Sequence, residues 1–324
     1  MSEISSHKVS FVTVEPEFEG QRIDNFLMRS LRGVPKSRVY RILRKGEVRV
    51  NKARVKPEYK LKAGDLVRIP PIRLAEAPNI AAPSQSLWRH LESSILYETD
   101  AVMVINKPSG IAVHGGDGVD LGLIEAMRQI RSDCRYLELV HRLDKATSGC
   151  VMLAKKRSAL KALQQRLRAG RGIQKRYRAL VMGAWPERVQ LVDQPLKRLE
   201  LPDGNRIVKV HPEGKLSQTR FQVVERFMVP SVGPLTLVQA EPLTGRTHQI
   251  RVHAQFSGHS LVGDPKYGDD QVNREVGRLA SLRLCLHACG LSVPPGEDFP
   301  GLEVEAPLLT DLVRLLEKLR QGES

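Results

Sequence analysis

Apolar residues recur along this chain first at helical spacing, then with a two-residue alternation, then not at all, and the changes of rhythm divide it. From Arg22 to Gly33, Ile23, Phe26, Leu27 and Leu31 fall on one stripe and predict a helix closed by Gly33 in a left-handed cap. A second helix opens near Pro35 and Ser37, buries Val39, Ile42 and Leu43, and stops at Gly46; Val48 to Asn51 then alternates as a strand. After Pro70-Pro71 the stretch Ala75 to Ser86 is built of small residues and prolines, with no hydrophobic period, and reads as a linker. Beyond it the apolar runs are short and strand-like, at Ala101–Ile105, Cys150–Ala154, Tyr177–Val181 and Leu235–Gln239. A helix opened by Ser158, with Leu160, Leu163 and Leu167 on one stripe, interrupts them before Gly170, and a final helix runs from Leu308 to Arg320. The pattern predicts an α+β protein: a small N-terminal α/β module over residues 1–75, a linker over 76–90 and a larger domain over 91–324, with sheet predominant.

Composition narrows the class. A chain of 324 residues with 41% apolar content supports one sizeable core and an accessory module. No run reaches the roughly 18 apolar residues of a membrane helix and the start lacks a signal-peptide layout, so a cytoplasmic protein with no membrane role is expected. The sparse cysteines, Cys134, Cys150, Cys285 and Cys289, read as reduced thiols. Cys285-Leu-His287-Ala-Cys289 suggests a metal site, but its strand-like alternation and the lack of a second ligand pair make core packing the better account, and no metal is expected. A formal net charge of +15 points to a polyanion partner, because neutralising phosphates releases condensed counterions. On the second helix Arg38, Arg41 and Lys45 lie at i, i+3 and i+7, one exposed face that can meet phosphates or simply face water.

Three segments carry polar residues that packing does not require. In Leu139-Val-His141-Arg142-Leu143-Asp144-Lys-Ala-Thr147-Ser148-Gly149, an Asp after a strand describes a carboxylate held in a tight loop by neighbouring hydroxyls and amides, although an ordinary turn has the same composition. In Leu243-Thr-Gly245-Arg246-Thr247-His248-Gln249-Ile250-Arg251-Val-His253, a glycine turn delivers Arg, Thr and His into a helix start. An arginine there serves a phosphate, a surface ion pair or a buried carboxylate. Lys175-Arg176-Tyr177 is a basic entry to a strand, with a half-buried edge tyrosine as its plainest reading.

Taken together with Asn106-Lys-Pro-Ser-Gly110-Ile-Ala-Val-His114 and Arg283-Leu-Cys-Leu-His287-Ala, these segments resemble, in order, the motifs of the RluA-type pseudouridine synthase family over nearly all of the chain after Leu91. Arg22-Ile-Asp-Asn-Phe, Gly33-Val-Pro-Lys-Ser, Tyr40 to Asn51 and Lys62-Ala-Gly-Asp65 resemble the S4 RNA-binding domain. The resemblance implies a pseudouridine-synthase fold with a central mixed, mainly antiparallel sheet, and a cofactor-free isomerase that flips a uridine out of RNA and rejoins its base to the sugar through C5. It implies Asp144 as the nucleophile or as the base that removes a sugar proton, Arg246 as its ion-pair partner, and Tyr177 on the uracil with Leu286 opposite. Arg142 would fill the gap left in the RNA, His141, Lys175 and Thr147 would line the substrate site, and Arg38, Arg41, Arg44 and Lys45 would hold RNA in the S4 module.

Within the family the likeness is greatest to enzymes of the large-subunit 23S rRNA, and the chain is expected to act as a monomer without a small-molecule cofactor. A tRNA-directed enzyme of the same chemistry and a non-catalytic ribosome-assembly factor are the alternatives.

Overall fold

The computed structural model describes residues 8–31, 34–72, 82–115, 121–170, 172–202, 204–296 and 300–322; Gly33, Gly116 and positions 76–81 of the expected linker lie outside these. The chain divides into two compact units, Met1–Ala81 and Ala82–Ser324.

In the first unit β1 (Ser10–Thr13) is followed by α1 (Ile23–Ser30), α2 (Lys36–Arg44), β2 (Arg49–Val50), β3 (Ala53–Arg54) and β4 (Leu66–Ile69). The strands form one antiparallel sheet in the order β1-β4-β2-β3. Helical spacing puts Ile23, Phe26 and Leu27 of α1 and Val39, Ile42 and Leu43 of α2 into one core with Val50, Val67 and Ile69 of the sheet. Removing each such side chain from water contributes about 1.5–3 kcal/mol. Gly46 ends α2 with φ +70°, where a side chain would be strained.

Two buried carboxylates join the elements. Asp24 of α1 accepts from Arg22 and from the hydroxyl of Tyr40 on α2, and the Arg22 guanidinium holds its carboxyl below the usual range. Asp65 accepts from Asn51 Nδ2, the Tyr59 hydroxyl and the Lys62 amide, which ties the β2–β3 turn to the start of β4.

The second unit contains α3 (Gln85–Ser93), β5 (Ile95–Glu98), β6 (Val102–Lys107), α4 (Leu123–Ile130), β7 (Glu138–Leu139), β8 (Ser148–Ala154), α5 (Arg157–Arg168), β9 (Gln174–Met182) and β10 (Leu191–Asp193). There follow β11 (Leu196–Glu200), β12 (Arg206–Val210), β13 (Gln218–Val229), β14 (Gly233–Pro242), α6 (Gln249–Phe256), α7 (Asp270–Leu279), β15 (Leu286–Val293), β16 (Leu302–Glu305) and α8 (Thr310–Gln321). Ten strands make one sheet with the path β10-β13-β14-β9-β15-β8-β6-β5, β16 beside β15 and β7 beside β8; β11 and β12 form a separate ribbon. The sheet is mixed and mainly antiparallel, its parallel pair being β15 with β8.

Successive side chains of a strand point to opposite faces, so Tyr177, Ala179 and Val181 of β9 enter one apolar layer while Leu180 enters the other with Leu312, Leu315, Leu316 and Leu319 of α8. β6 and β8 are buried along their whole length, as the apolar runs Val102–Ile105 and Cys150–Ala154 require, and the polar Asn106, Lys107 and Ser148 are buried with them.

The expected linker is shorter than its composition suggested. Ser84 caps α3 by accepting from the Leu87 amide, and Leu87, Trp88 and Leu91 pack on the large core, so 85–90 are helical. The final helix starts at Thr310 rather than Leu308. Among the described residues no helix is long and apolar enough to cross a membrane.

Candidate active site

Asp144 sits in the loop between β7 and β8, at a cleft of about 550 Å³ lined also by residues of α5, β9, α6 and the start of β15. That size suits a small polar ligand, for which clefts of about 300–1,000 Å³ are usual. The loop is held from both sides. At its start Val140 donates to the Met152 carbonyl, and His141 Nε2 accepts from the Met152 amide. After Asp144, the fully buried Lys107 donates to the carbonyls of Pro108, Ile111 and Lys145, Ser109 Oγ donates to Ala146, and the Gly110 amide donates to Lys145. Burial, then the Arg283 charge, pushes the Lys107 ammonium down to about 7, and the nearby Asp144 charge works in the opposite sense. Gly149, at φ +108°, lets β8 approach β15 so closely that a Cβ there would lie 2.3 Å from the Ala288 carbonyl oxygen.

The carboxylate of Asp144 meets Arg251, whose Nη1 donates to Oδ2 at 3.3 Å, and His248, whose Nε2 lies 3.8 Å from the same oxygen. Arg251 is a charge inside a buried helix. It is fixed on its other side by Asp264, which accepts from Nε and Nη2 at 2.7 Å each. Burial opposes both charges, yet their mutual bonds keep Arg251 raised and Asp264 lowered relative to their ordinary values.

Tyr177, on the interior strand β9 rather than at a sheet edge, is buried, and burial with the nearby Asp144 charge raises its hydroxyl well above the usual tyrosine range. Leu286 enters the cleft from the neighbouring strand β15. Asp144 is the one acidic side chain among the described residues that line the cleft, against Arg142, Arg166, Arg168, Lys175, Arg246 and Arg251.

The expected site residues Asp144, Arg246, Tyr177, Arg142, His141, Leu286, Lys175 and Thr147 are therefore brought to one cleft, but two expectations need correction. Arg246 is not the partner of Asp144. It lies in the turn before α6, where its amide donates to the Gln249 side chain and its Nε to the Leu216 carbonyl, so the guanidinium is directed to the exposed rim. Arg251, one turn further on, is carried by the helix into the interior. Nor do neighbouring hydroxyls grip the carboxylate: Thr147 donates its amide to the Asp144 carbonyl, and Ser148 Oγ pairs with His287 Nδ1.

Burial, then the Lys175 charge, pushes His141 down to about 3, and the ring is committed to β8 through Met152. Burial likewise pushes Lys175 down. Sequence reasoning missed Arg251, His248, Asp264 and Tyr267. A signal for the first existed, because an arginine between Ile250 and Val252 on a helix otherwise destined for the core needs buried carboxylates.

In the first unit Arg38, Arg41, Arg44 and Lys45 are all exposed along or just beyond α2. Strand register adds a second set. Phe11, Arg68, Arg49 and Arg54 lie side by side across β1, β4, β2 and β3, on the face away from the apolar core. The Arg68 guanidinium donates to the Glu47 carbonyl at 2.6 Å.

Residues 101–256 match the model of the RNA pseudouridylate synthases, and residues 21–67 match that of the S4 domain. The ribosomal large subunit pseudouridine synthase C of Escherichia coli strain K12 is 51% identical over 317 residues, which cover 97% of this chain and 98% of that one. Its counterpart in Pasteurella multocida strain Pm70 is 48% identical over 322 residues, 99% of this chain and 97% of that one. Among solved structures, human RNA pseudouridylate synthase domain containing 4 is 26% identical and superposes with a TM-score of 0.56, over 72% of this chain and 96% of its own.

Proposed function

The chain belongs to the RNA pseudouridylate synthase family, and we propose that it isomerises uridines of the large-subunit ribosomal RNA, using Asp144 as the group that acts on the sugar. As a member of that family it is an isomerase converting uridine in RNA to pseudouridine. The observation that carries the reading of Asp144 is the solitary carboxylate: among the described residues that line the cleft it is the one acidic side chain, set among basic ones. Such a field attracts a phosphodiester backbone, and the one carboxylate within it is suited to act as a nucleophile or a base on the ribose.

In this reading the target nucleotide leaves its stack and enters the cleft, and Arg142, exposed two residues before Asp144, fills the place it vacated. Arg251 supplies the counter-charge and orients the carboxylate, which adds to C1′ or removes the proton beside it. Tyr177 and Leu286 hold the uracil while it turns. Because the Tyr177 hydroxyl keeps its proton, it receives the C5 proton only by passing its own onward, as a relay. Arg246, at the rim, contacts a phosphate. The exposed cations of α2 and the arginine row of the small sheet hold flanking RNA by its backbone.

The test has two parts. Asp144→Asn should abolish pseudouridine formation while RNA affinity stays within about threefold, and turnover at the normal rate rejects the assignment. Mapping pseudouridine in ribosomal RNA and tRNA of a deletion strain should show losses confined to the large-subunit RNA; losses in tRNA alone would redirect the enzyme to that substrate.

A further inference from the structure

His248 precedes α6 in a left-handed conformation, φ 53° and ψ 21°, that residues with side chains rarely adopt. Its ring lies between two partners. Nδ1 is 2.8 Å from the Tyr267 hydroxyl, and Nε2 faces Asp144 Oδ2 at 3.8 Å.

The proton positions follow from counting donors. Tyr267 is almost wholly buried, and its oxygen accepts the Val208 amide at 3.1 Å. A phenol has one proton to give, and a buried one needs an acceptor. Among the described residues the acceptor within hydrogen-bond distance is His248 Nδ1, so Tyr267 donates to Nδ1. A neutral imidazole that accepts at Nδ1 carries its proton at Nε2. Nε2 lies 3.8 Å from Asp144 Oδ2, and a small closure of that gap brings its N–H within hydrogen-bond reach, as unliganded catalytic contacts commonly tighten when substrate arrives. Arg251 and His248 both approach Oδ2, and no hydrogen bond from a described residue falls on Oδ1.

We infer that His248 is a positioning residue: the Tyr267 hydroxyl fixes its tautomer, and its Nε2–H holds Asp144 by Oδ2 so that Oδ1 is the oxygen presented to the sugar. The inference rests on the reading of Asp144 given above. The strained backbone at residue 248 belongs with it, because the conformation brings one ring into contact with a tyrosine from the segment after α6 and a carboxylate from the β7–β8 loop. The charged and titratable groups around the ring are Asp144, Arg251, Lys266, Asp264 and Tyr267. Burial, opposed by Asp144, lowers the affinity of His248 for a second proton. This keeps the tautomer intact at neutral pH, where a doubly protonated ring would present a donor to a hydroxyl that is itself donating.

The experiment measures kcat and KM by tritium release from a large-subunit rRNA transcript labelled at uridine C5. His248→Asn tolerates the left-handed backbone but is too short to reach Asp144; His248→Gln puts an amide N–H near the place of Nε2. Tyr267→Phe removes the donor that sets the tautomer. His248→Asn should lower kcat about 10–100-fold with KM within about threefold, the usual cost of losing a group that orients a reacting one. His248→Gln should recover part of the loss, and Tyr267→Phe should lower kcat by a smaller factor at unchanged KM. Wild-type kcat in His248→Asn, a loss confined to KM, or a His248→Gln variant no better than His248→Asn would each overturn the inference. Turnover by Asp144→Asn would instead overturn the reading on which it rests.

Discussion

Arg251 and Asp144, 107 residues apart in the chain, meet at 3.3 Å between Nη1 and Oδ2, and the same guanidinium is bonded twice to the buried Asp264. The carboxylate at the cleft is thus attached, through one planar cation, to a fixed point in the interior. Its orientation is decided by α6 and the segment after it rather than by the loop that carries it.

Replacing Arg251 by Lys keeps the charge but loses the fork that serves two carboxylates at once. We expect kcat to fall by about 10²–10³, the loss typical of removing one preorganised electrostatic partner. Arg246→Ala should act chiefly on KM and on RNA affinity, as suits a rim residue bonded to the Leu216 carbonyl. Steady-state kinetics of the two variants side by side checks this, and the reverse result would restore Arg246 as the partner of Asp144.

Asp264→Asn leaves Arg251 buried with half of its counter-charge removed. The expected destabilisation is about 3–5 kcal/mol, measured by denaturant unfolding of the variant against the wild type. A change under about 1 kcal/mol would mean that the pair contributes little to the fold.

The buried His287, pushed down to about 4 from an ordinary value of 6.5, binds its proton less readily folded than unfolded. Where the unfolded chain holds more protons, stability rises with pH, so this group makes stability fall as pH is lowered from 6.5 towards 4. Its contribution to the slope is at most about 1.4 kcal/mol per pH unit within that window. His287→Gln should flatten the midpoint of urea unfolding between those pH values, and an unchanged profile would show that His287 titrates alike in both states.

Lys107→Met removes the cation that three backbone carbonyls share beside the loop of Asp144. Leaving buried acceptors unpaired costs about 1–3 kcal/mol each, so a clear fall in melting temperature is expected, with faster amide exchange in residues 144–147. Exchange that stays at the wild-type rate would place the lysine outside the support of Asp144.

Reversing Arg41 and Lys45, exposed on α2 and at its end, should reduce the salt dependence of RNA binding by about 0.7–0.9 in slope for each phosphate no longer neutralised. Arg49→Gln with Arg68→Gln tests the sheet face in the same way. A slope unchanged in either pair shows that its face does not touch the RNA backbone.

The sequence was legible where one local rule governed. Helical spacing placed α2 with its buried Val39, Ile42 and Leu43, and the stop at Gly46 is a positive-φ residue. Apolar runs located β6, β8, β9 and β14, and the ordered motifs brought Asp144, Tyr177 and Leu286 into one cleft. It was misleading where two like residues shared a motif. Arg246 and Arg251 differ by five positions, and only the start of α6 at Gln249 decides which is carried inward. The linker was overdrawn because the prolines before Ser84 hid a helix whose apolar stripe, Leu87, Trp88 and Leu91, begins at its first turn.

By itself the sequence determined the class of elements, the two modules, the positive charge and the residues available for chemistry, because propensity, periodicity and net charge are local or additive properties of the chain. The tertiary structure alone decided which arginine meets the carboxylate, which tyrosine hydroxyl the histidine beside it meets and which three arginines stand in a row across the small sheet. Those depend on strand register and on contacts between residues far apart in the chain, which no local pattern encodes.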